Sequence, residues 1–405
     1  MSAASPDTLL RAAIGDDVTV ACPACGASSL RVIERQTAIP VHNTLMLDDA
    51  TTAVAFATGD LVLGWCGACG FAANVVFDES KLDYSSSYEE SQGFSGTFNA
   101  FARGLAKEWI DRFDVREGDV VEIGCGKGDF LKLMVELGNN RGLGFDPAFD
   151  PARVDTPERG SLEVRQERFD HSTGPLDVDF VCCRHTLEHI DRVHDFVTTV
   201  RAAIPAGRRT ALGFELPDFE RILDEGAFWD VYYEHCSYFT RGSLRRLFER
   251  SGFEVHDVRL VYGNQYLILE ATPGKATDGQ TDDLPALAEK VDAFPDRVRT
   301  KVESWRRDLA AWKAEGLTTV LWGSGSKAVG FLTAVGDHDA VTSVVDINPH
   351  KQGRFMPGCP QPIVGPEDLK TIRPDVVVVM NPIYLDEIGA DLRSMDLEPR
   401  LTALT

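Results

Sequence analysis

The sequence predicts an α/β fold in which two regions of alternating strands and helices follow a small cysteine-bearing module. Three observations carry this expectation. The line GDVVEIGCGKGDFLKLMVELG (118–138) runs from an apolar strand through clustered glycines into an amphipathic helix. TTVLWGSGSKAVGFL (318–332) repeats the pattern near the C-terminus. Between residues 22 and 69 lie two Cys-x-x-Cys pairs, CPAC and CGAC.

The N-terminal module comes first in the chain, at residues 1–83. Cys22 and Cys25 form one pair, and Cys66 and Cys69 form the other. Two such turns surround one tetrahedral Zn²⁺ with four thiolates, at about 2.3 Å each. A redox dithiol needs only one pair, and four cysteines leave a metal no open position for catalysis. The expectation is structural zinc. The other five of the nine cysteines are scattered and read as small buried residues. ATTAVAFATGDLVLGWCGACGFAANVVFD (50–78) has the apolar runs of short strands.

DYSSSYEESQGFS (83–95) has no hydrophobic period and reads as a loop carrying Tyr84 and Tyr88. The second domain is expected over 84–272 and the third over 285–405. The polar stretch TPGKATDGQTDDLP (272–285) separates them. A length of 405 residues suits such a division, because one hydrophobic core rarely grows so large. Pro295 is expected to interrupt the helical periodicity of 286–315.

Forty-one basic against sixty-three acidic residues give a formal charge of −22, which repels polyanions. The charge therefore argues against non-specific binding to nucleic acid or anionic membrane, and neither is expected as a partner, while a small anionic ligand in a local basic pocket remains open. No apolar stretch is long enough to span a bilayer, and the first residues lack a signal-peptide pattern. A soluble, cytoplasmic protein is expected.

The glycine loop is the most informative line. Gly124, Gly126 and Gly128 let the backbone turn sharply and approach a ligand, with free N–H donors at the following helix start. The spacing is E-x-G-x-G-x-G, with Glu122 at the strand end, rather than a strict G-x-G-x-x-G. The next strand, NRGLGFD (140–146), ends in Asp146, whose carboxylate can take both hydroxyls of a ribose.

On these residues the chain resembles the class I S-adenosylmethionine-dependent methyltransferases. The resemblance implies a Rossmann-like core in which Gly124, Gly126 and Gly128 line the cofactor loop, Glu122 supports it and Asp146 holds ribose. It implies Arg168 and Phe169, in ERFD (167–170), as neighbours of the adenine. DVDFVCCRHTLEHI (177–190) then matches the fourth strand and the substrate-facing turn after it.

WDVYYEHCSYFT (229–240) narrows the resemblance to the bacterial deoxysugar C-methyltransferases, which methylate a nucleotide-linked keto-sugar. That family carries a four-cysteine zinc module before the core and a second Rossmann-like domain after it. The chemistry it implies is proton removal beside a carbonyl, followed by attack of the enolate on a sulfonium methyl. Neutral imidazole suits that proton transfer. His235 is then the expected base, Glu234 its orienting partner, Tyr233 the binder of the enolate oxygen and His189 a stabiliser of the oxyanion. Tyr238 and Phe239 are expected in the core, and His185 behind the site. Lys327, Lys351 and Arg354 are where an anionic nucleotide-sugar is expected to find positive charge.

Some segments depart from the family pattern. A Pro-Leu-Ala-Asn-type segment is replaced by IPVHNTLML (39–47), a Gly-Gly-Ser turn by Gly263-Asn264-Gln265, and the imidazole before Glu234 by Tyr233. His42, Asn43, Asn264 and Gln265 are thus candidates for recognising a different acceptor. Two other readings stay open: the same cofactor with an O-, N- or S-acceptor, and a non-catalytic zinc-containing scaffold.

Overall fold

The computed structural model describes residues 17–82, 89, 92–153 and 156–405. Tyr84 and Tyr88 lie outside the described residues.

The N-terminal module forms an antiparallel sheet from β1 (Asp17–Val18), β2 (Leu30–Pro40), β3 (Thr58–Trp65) and β4 (Ala72–Asn74), with a short helix α1 (Ala50–Val54). Its fifth strand comes from far along the chain, as described below. The methyltransferase-like core opens with α2 (Gly96–Phe113), capped by the Ser95 hydroxyl on the Phe98 N–H. Then follow β5 (Asp119–Ile123), α3 (Asp129–Gly138), β6 (Arg141–Phe145), β7 (Ser161–Arg165), β8 (Phe180–Arg184), α4 (Val193–Ala203), β9 (Ala211–Pro217) and α5 (Phe219–Glu225). The next strand, β10 (Ser237–Tyr238), leaves the core and pairs with β4, Ser237 opposite Ala73 and Tyr238 opposite Ala72. After α6 (Arg241–Arg250), β11 (Phe253–Val261) and β12 (Tyr266–Pro273) close the core as an antiparallel pair.

The core sheet has seven strands in the order β11-β12-β9-β8-β5-β6-β7. Strands β5 to β9 pair in parallel, and β12 runs antiparallel to β9. The strand order reverses at β5, so a crevice opens beyond the carboxyl ends of β5 and β8. Val120, Val121 and Ile123 of β5 are buried, as are all five residues of β8, as expected of strands covered on both faces.

The C-terminal region begins with the long α7 (Leu284–Ala314), which runs on through Pro295 rather than ending there. A proline inside a helix costs about 3 kcal/mol. Burial of Leu287, Val291 and Phe294 on one side of it, and of Trp305, Leu309 and Trp312 on the other, offsets that loss. Beyond it, β13 (Thr319–Trp322), α8 (Ser326–Val335), β14 (Ser343–Val345), β15 (Ile363–Val364), α9 (Leu369–Ile372), β16 (Val376–Val379), α10 (Leu385–Ser394) and β17 (Arg400–Ala403) build a second sheet. All its strands are parallel, in the order β15-β14-β13-β16-β17.

Among the described residues the N-terminal module shares its core with the rest of the chain. Ile33, Leu61 and Trp65 pack in one cluster with Trp229, Tyr233, α7 residues and Leu321, Val344 and Val378 of the last sheet. On its other side Cys66, Phe71 and Ala73 join Phe239, Leu244 and Phe248 of the central region. Among the described residues no helix is long and apolar enough to cross a membrane.

Candidate active site

A cavity of about 830 Å³ lies between loops of the core sheet and loops of the C-terminal sheet. Its lining comes from the glycine loop, the turn after β8, the segment before β10 and the loops after β13, β14 and β16.

The glycine loop forms one end. Gly124, Gly126 and Gly128 all have positive φ, at 69°, 53° and 82°. A Cβ on Gly124 would sit 2.1 Å from Thr186 Oγ1, so only glycine fits there. Asp146 closes the loop from β6, its Oδ2 accepting the Gly126 N–H at 2.8 Å and its Oδ1 accepting the Ala148 N–H at 2.8 Å. Burial raises the Asp146 carboxyl above the usual range against these two N–H donors. Helix α3 follows Gly128, which has no side chain to cap it, and the Leu131 N–H of its first turn is met instead by the buried Glu122 carboxyl. Glu122 lines the floor, its burial pushing the carboxyl up to about 8 against the pull of Arg184. Phe169 meets Phe145 and Phe196 edge-on at the wall. Arg168 lies at the mouth, exposed and paired with Glu79.

The centre of the cavity holds two imidazoles. The rings of His189 and His235 are perpendicular, with centroids 4.8 Å apart. His235 is 8% exposed, and its Nε2 lies 2.9 Å from the hydroxyl of Tyr232. Burial, then the neighbouring His189, His185 and Lys327, push its imidazole well below the ordinary histidine range. It is therefore neutral at physiological pH and able to accept a proton. Glu188 joins the pair, since one donor atom from each of Glu188, His189 and His235 falls within 4.8 Å of the others.

The floor beneath is a buried charge network. Arg184 Nε donates to Glu215 Oε2 at 2.5 Å, and His185 Nε2 lies 3.3 Å from Glu215 Oε1. His185 also approaches Glu188 Oε1 at 3.5 Å. Burial alone would lower the His185 imidazole, but Glu215 and Glu188 raise it to about 9. Burial alone would raise Glu215, yet Arg184 and His185 bring it down to about 2. His185 lines the cavity at a φ of +50°, a conformation uncommon outside glycine. It was expected behind the site and instead forms part of its wall.

Two residues expected in the site, Tyr233 and Glu234, face elsewhere. Tyr233 is fully buried with its hydroxyl on the backbone of Asp78, accepting the N–H at 3.0 Å, and it does not line the cavity. Glu234 makes no hydrogen bond to His235. Its Oε1 lies 2.8 Å from His42 Nδ1 and its Oε2 accepts the Asn43 N–H at 2.8 Å. Tyr233 and Glu234 form a turn, which brings Tyr232 back beside the His235 imidazole and carries the Tyr233 and Glu234 side chains away from the cavity. His42 and Asn43 accordingly do not line the cavity, whereas Thr44 does. Asn264 is exposed, and Gln265 lines the cavity, donating to Asn381 Oδ1 at 2.9 Å. Tyr238 and Phe239 are in the core as expected.

From the C-terminal region, Ser326, Lys327, Asn348, Lys351 and Asn381 reach the cavity. Lys327 is paired with Asp230, which also accepts from Arg221 Nη2 at 2.5 Å. Lys351 lies 3.7 Å from Asp346. Arg354 pairs with Asp48 at the surface, outside the cavity. Tyr232, Glu188, His185 and Thr44 were not anticipated as site residues. A second tyrosine beside Tyr233, and the acid inside HTLEH, were the available signals.

Away from the cavity the four module cysteines converge. Cys22 Sγ lies 3.7 Å from Cys69 Sγ, and Cys25 Sγ lies 3.7 Å from Cys66 Sγ. A disulfide is about 2.05 Å long, so these are not bonded sulfurs. Four thiolates held about 2.3 Å from a tetrahedral ion stand about 3.8 Å apart. The donor set fits one metal ion.

The fold, with its glycine loop, the strand-end Asp146 and paired imidazoles in one cavity, defines an S-adenosylmethionine-dependent methyltransferase. Residues 98–258 match the methyltransferase domain family, and residues 285–398 match the family described as the C-methyltransferase C-terminal domain. The chain is 28% identical over 326 residues to the C-methyltransferase NovU of Streptomyces niveus, covering 73% of this chain and 74% of that protein. The chain is a methyltransferase similar to NovU. Solved structures that resemble part of it include a Burkholderia thailandensis 1,6-didemethyltoxoflavin-N1-methyltransferase, at 18% identity and a TM-score of 0.33, over 43% of this chain and 79% of that one. Another is the magnesium protoporphyrin IX methyltransferase of Synechocystis PCC 6803, at 13% identity and a TM-score of 0.34, over 44% and 84%.

Proposed function

We propose that the enzyme methylates the carbon next to the ketone of a nucleotide-linked sugar, with His235 as the base. The observation that carries this reading is the neutral, buried His235, held by Tyr232 and facing the cavity that also contains the glycine loop. Carbon is a poor nucleophile, so its proton must be taken first, and imidazole kept neutral by burial is suited to that step.

His235 takes the proton on a ring nitrogen, and the C–H electrons pass to the carbonyl oxygen. His189, at right angles beside it, donates a hydrogen bond to the developing oxyanion. Tyr232 fixes the imidazole plane through Nε2. Gly124, Gly126 and Gly128 admit the amino-acid end of the cofactor, Asp146 its ribose, and Phe169 with Arg168 its adenine. S-adenosylmethionine, when bound, supplies an electrophilic sulfonium methyl and leaves as S-adenosylhomocysteine. Lys327 and Lys351 give the opposite wall positive charge for a diphosphate. The module metal is zinc in this reading, because the ligands are all thiolates and close the tetrahedron, which keeps it out of the chemistry. The three domains are residues 1–83, 84–272 and 285–405.

Deuterium wash-in tests the assignment. A nucleotide-linked keto-sugar incubated in D₂O with enzyme but no cofactor should exchange the proton beside its ketone, and His235→Ala should stop this. Exchange that persists in His235→Ala would remove His235 as the base.

A further inference from the structure

The His42–Asn43 turn belongs to the N-terminal module by sequence, yet its contacts lie in the other two regions. His42 and Glu234 are each 1% exposed, and they meet across 192 residues of chain with Nδ1 2.8 Å from Oε1. The adjacent Asn43 N–H satisfies the second oxygen, so both oxygens of this carboxylate are held by the turn. The Asn43 side chain continues across to the C-terminal region, its Nδ2 donating to the Ser326 carbonyl at 3.3 Å. Ser326 precedes Lys327, which grips Asp230 at the other end of the same catalytic segment. Residues 230–235 are thus clamped at both ends by side chains from outside the core.

A buried carboxylate loses its hydration and remains only where donors replace it. Here those donors sit next to the residue that presents His235 to the cavity. The segment has little regular structure of its own, since a single 3₁₀ turn ends at Asp230 and β10 starts at Ser237. Its backbone path therefore depends on these tertiary contacts. We propose that His42 is a positioning residue for His235, acting through Glu234, so that the N-terminal module sets the geometry of proton abstraction. The proposal rests on His235 being the base, and a change of about 1 Å in such a group costs on the order of 100-fold in rate.

The test compares full-length His42→Ala and His42→Gln with the wild type. Glutamine keeps a donor at similar reach to Glu234, whereas alanine leaves the carboxylate half-unpaired. Four measurements are made: exchange of the backbone amides of 231–238, wash-in of deuterium at the sugar carbon without cofactor, affinity for S-adenosylhomocysteine, and melting temperature. Expected for His42→Ala are faster amide exchange in 231–238 and wash-in slowed about 10- to 100-fold, with S-adenosylhomocysteine affinity retained. His42→Gln should recover most of the wash-in rate. Wild-type amide exchange and wash-in in His42→Ala would overturn the proposal. So would loss of cofactor-product affinity in parallel with wash-in in both variants, which marks a general folding role. If His42→Ala does not fold, Glu234→Gln carries the same comparison: slowed wash-in with retained affinity supports the proposal, and unchanged wash-in overturns it. If the wild type itself shows no wash-in, the base assignment fails, and amide exchange alone then decides whether His42 holds the segment.

Discussion

The Tyr232 hydroxyl lies 2.9 Å from His235 Nε2, while its neighbour Tyr233 is turned away with its hydroxyl on the backbone of Asp78. Two adjacent tyrosines thus divide between the cavity wall and the packed interior. Tyr232→Phe should lower kcat at least about 10-fold with little change in affinity for S-adenosylhomocysteine. Tyr233→Phe should leave kcat unchanged and cost about 0.5–1.5 kcal/mol of stability, read from urea unfolding. The opposite pattern would reverse the two roles.

Cofactor binding should fail on a single methyl group. Gly124→Ala places its Cβ 2.1 Å from Thr186 Oγ1 at a φ of +69°. The expected outcome is loss of measurable S-adenosylhomocysteine binding by calorimetry. Asp146→Ala should weaken the same binding by about 10- to 100-fold, the loss of a charge-assisted hydrogen bond.

Acidity should affect catalysis and stability in opposite ways. His235 is lowered by burial and by the nearby His189, His185 and Lys327, so deuterium wash-in should persist below the ordinary histidine pKa of about 6.5 before falling. His185 is raised to about 9 by Glu215 and Glu188. Below about 6.5 both folded and unfolded chains hold its proton, and the stabilisation is complete. From there to about 9 the unfolded chain releases the proton first, so stability falls as pH rises. Urea unfolding of the wild type should show this alkaline loss, and His185→Gln should flatten it.

Thr44 Oγ1 is buried at the cavity wall without a hydrogen-bond partner among the described residues. A buried hydroxyl left unmade in the free enzyme is a contact available to the acceptor. Thr44→Val should raise KM for the acceptor and leave that for S-adenosylmethionine unchanged.

Metal dependence should appear as stability. Cys69→Ser removes one of four sulfurs that converge at 3.7 Å spacings. Metal analysis should find zinc in the wild type and little in the variant, with a lower melting temperature.

What was readable in the sequence was local. The strand, glycine loop and helix of 118–138 are contiguous, and Asp146 follows in the next strand, so their assembly needs no distant contact. Each cysteine pair likewise makes its own turn. The phase of 230–235 was not readable, because this short segment has neither helical nor strand period over enough residues to show which side chains face inward. One residue of phase exchanges Tyr233 for Tyr232. The partner of Glu234 lies 192 residues away and could emerge only from the folded chain. Pro295 misled for a related reason: tertiary burial along α7 outweighs its local preference.

Strand β10 begins two residues after His235 and completes the sheet of the N-terminal module, with Ser237 opposite Ala73. The module therefore cannot be treated as an interchangeable cassette. A chimera that grafts a relative's cysteine module onto this enzyme would also graft a new edge for β10 to pair with. Substitutions at Ala72–Asn74 should consequently be energetically coupled to substitutions at Ser237–Tyr238.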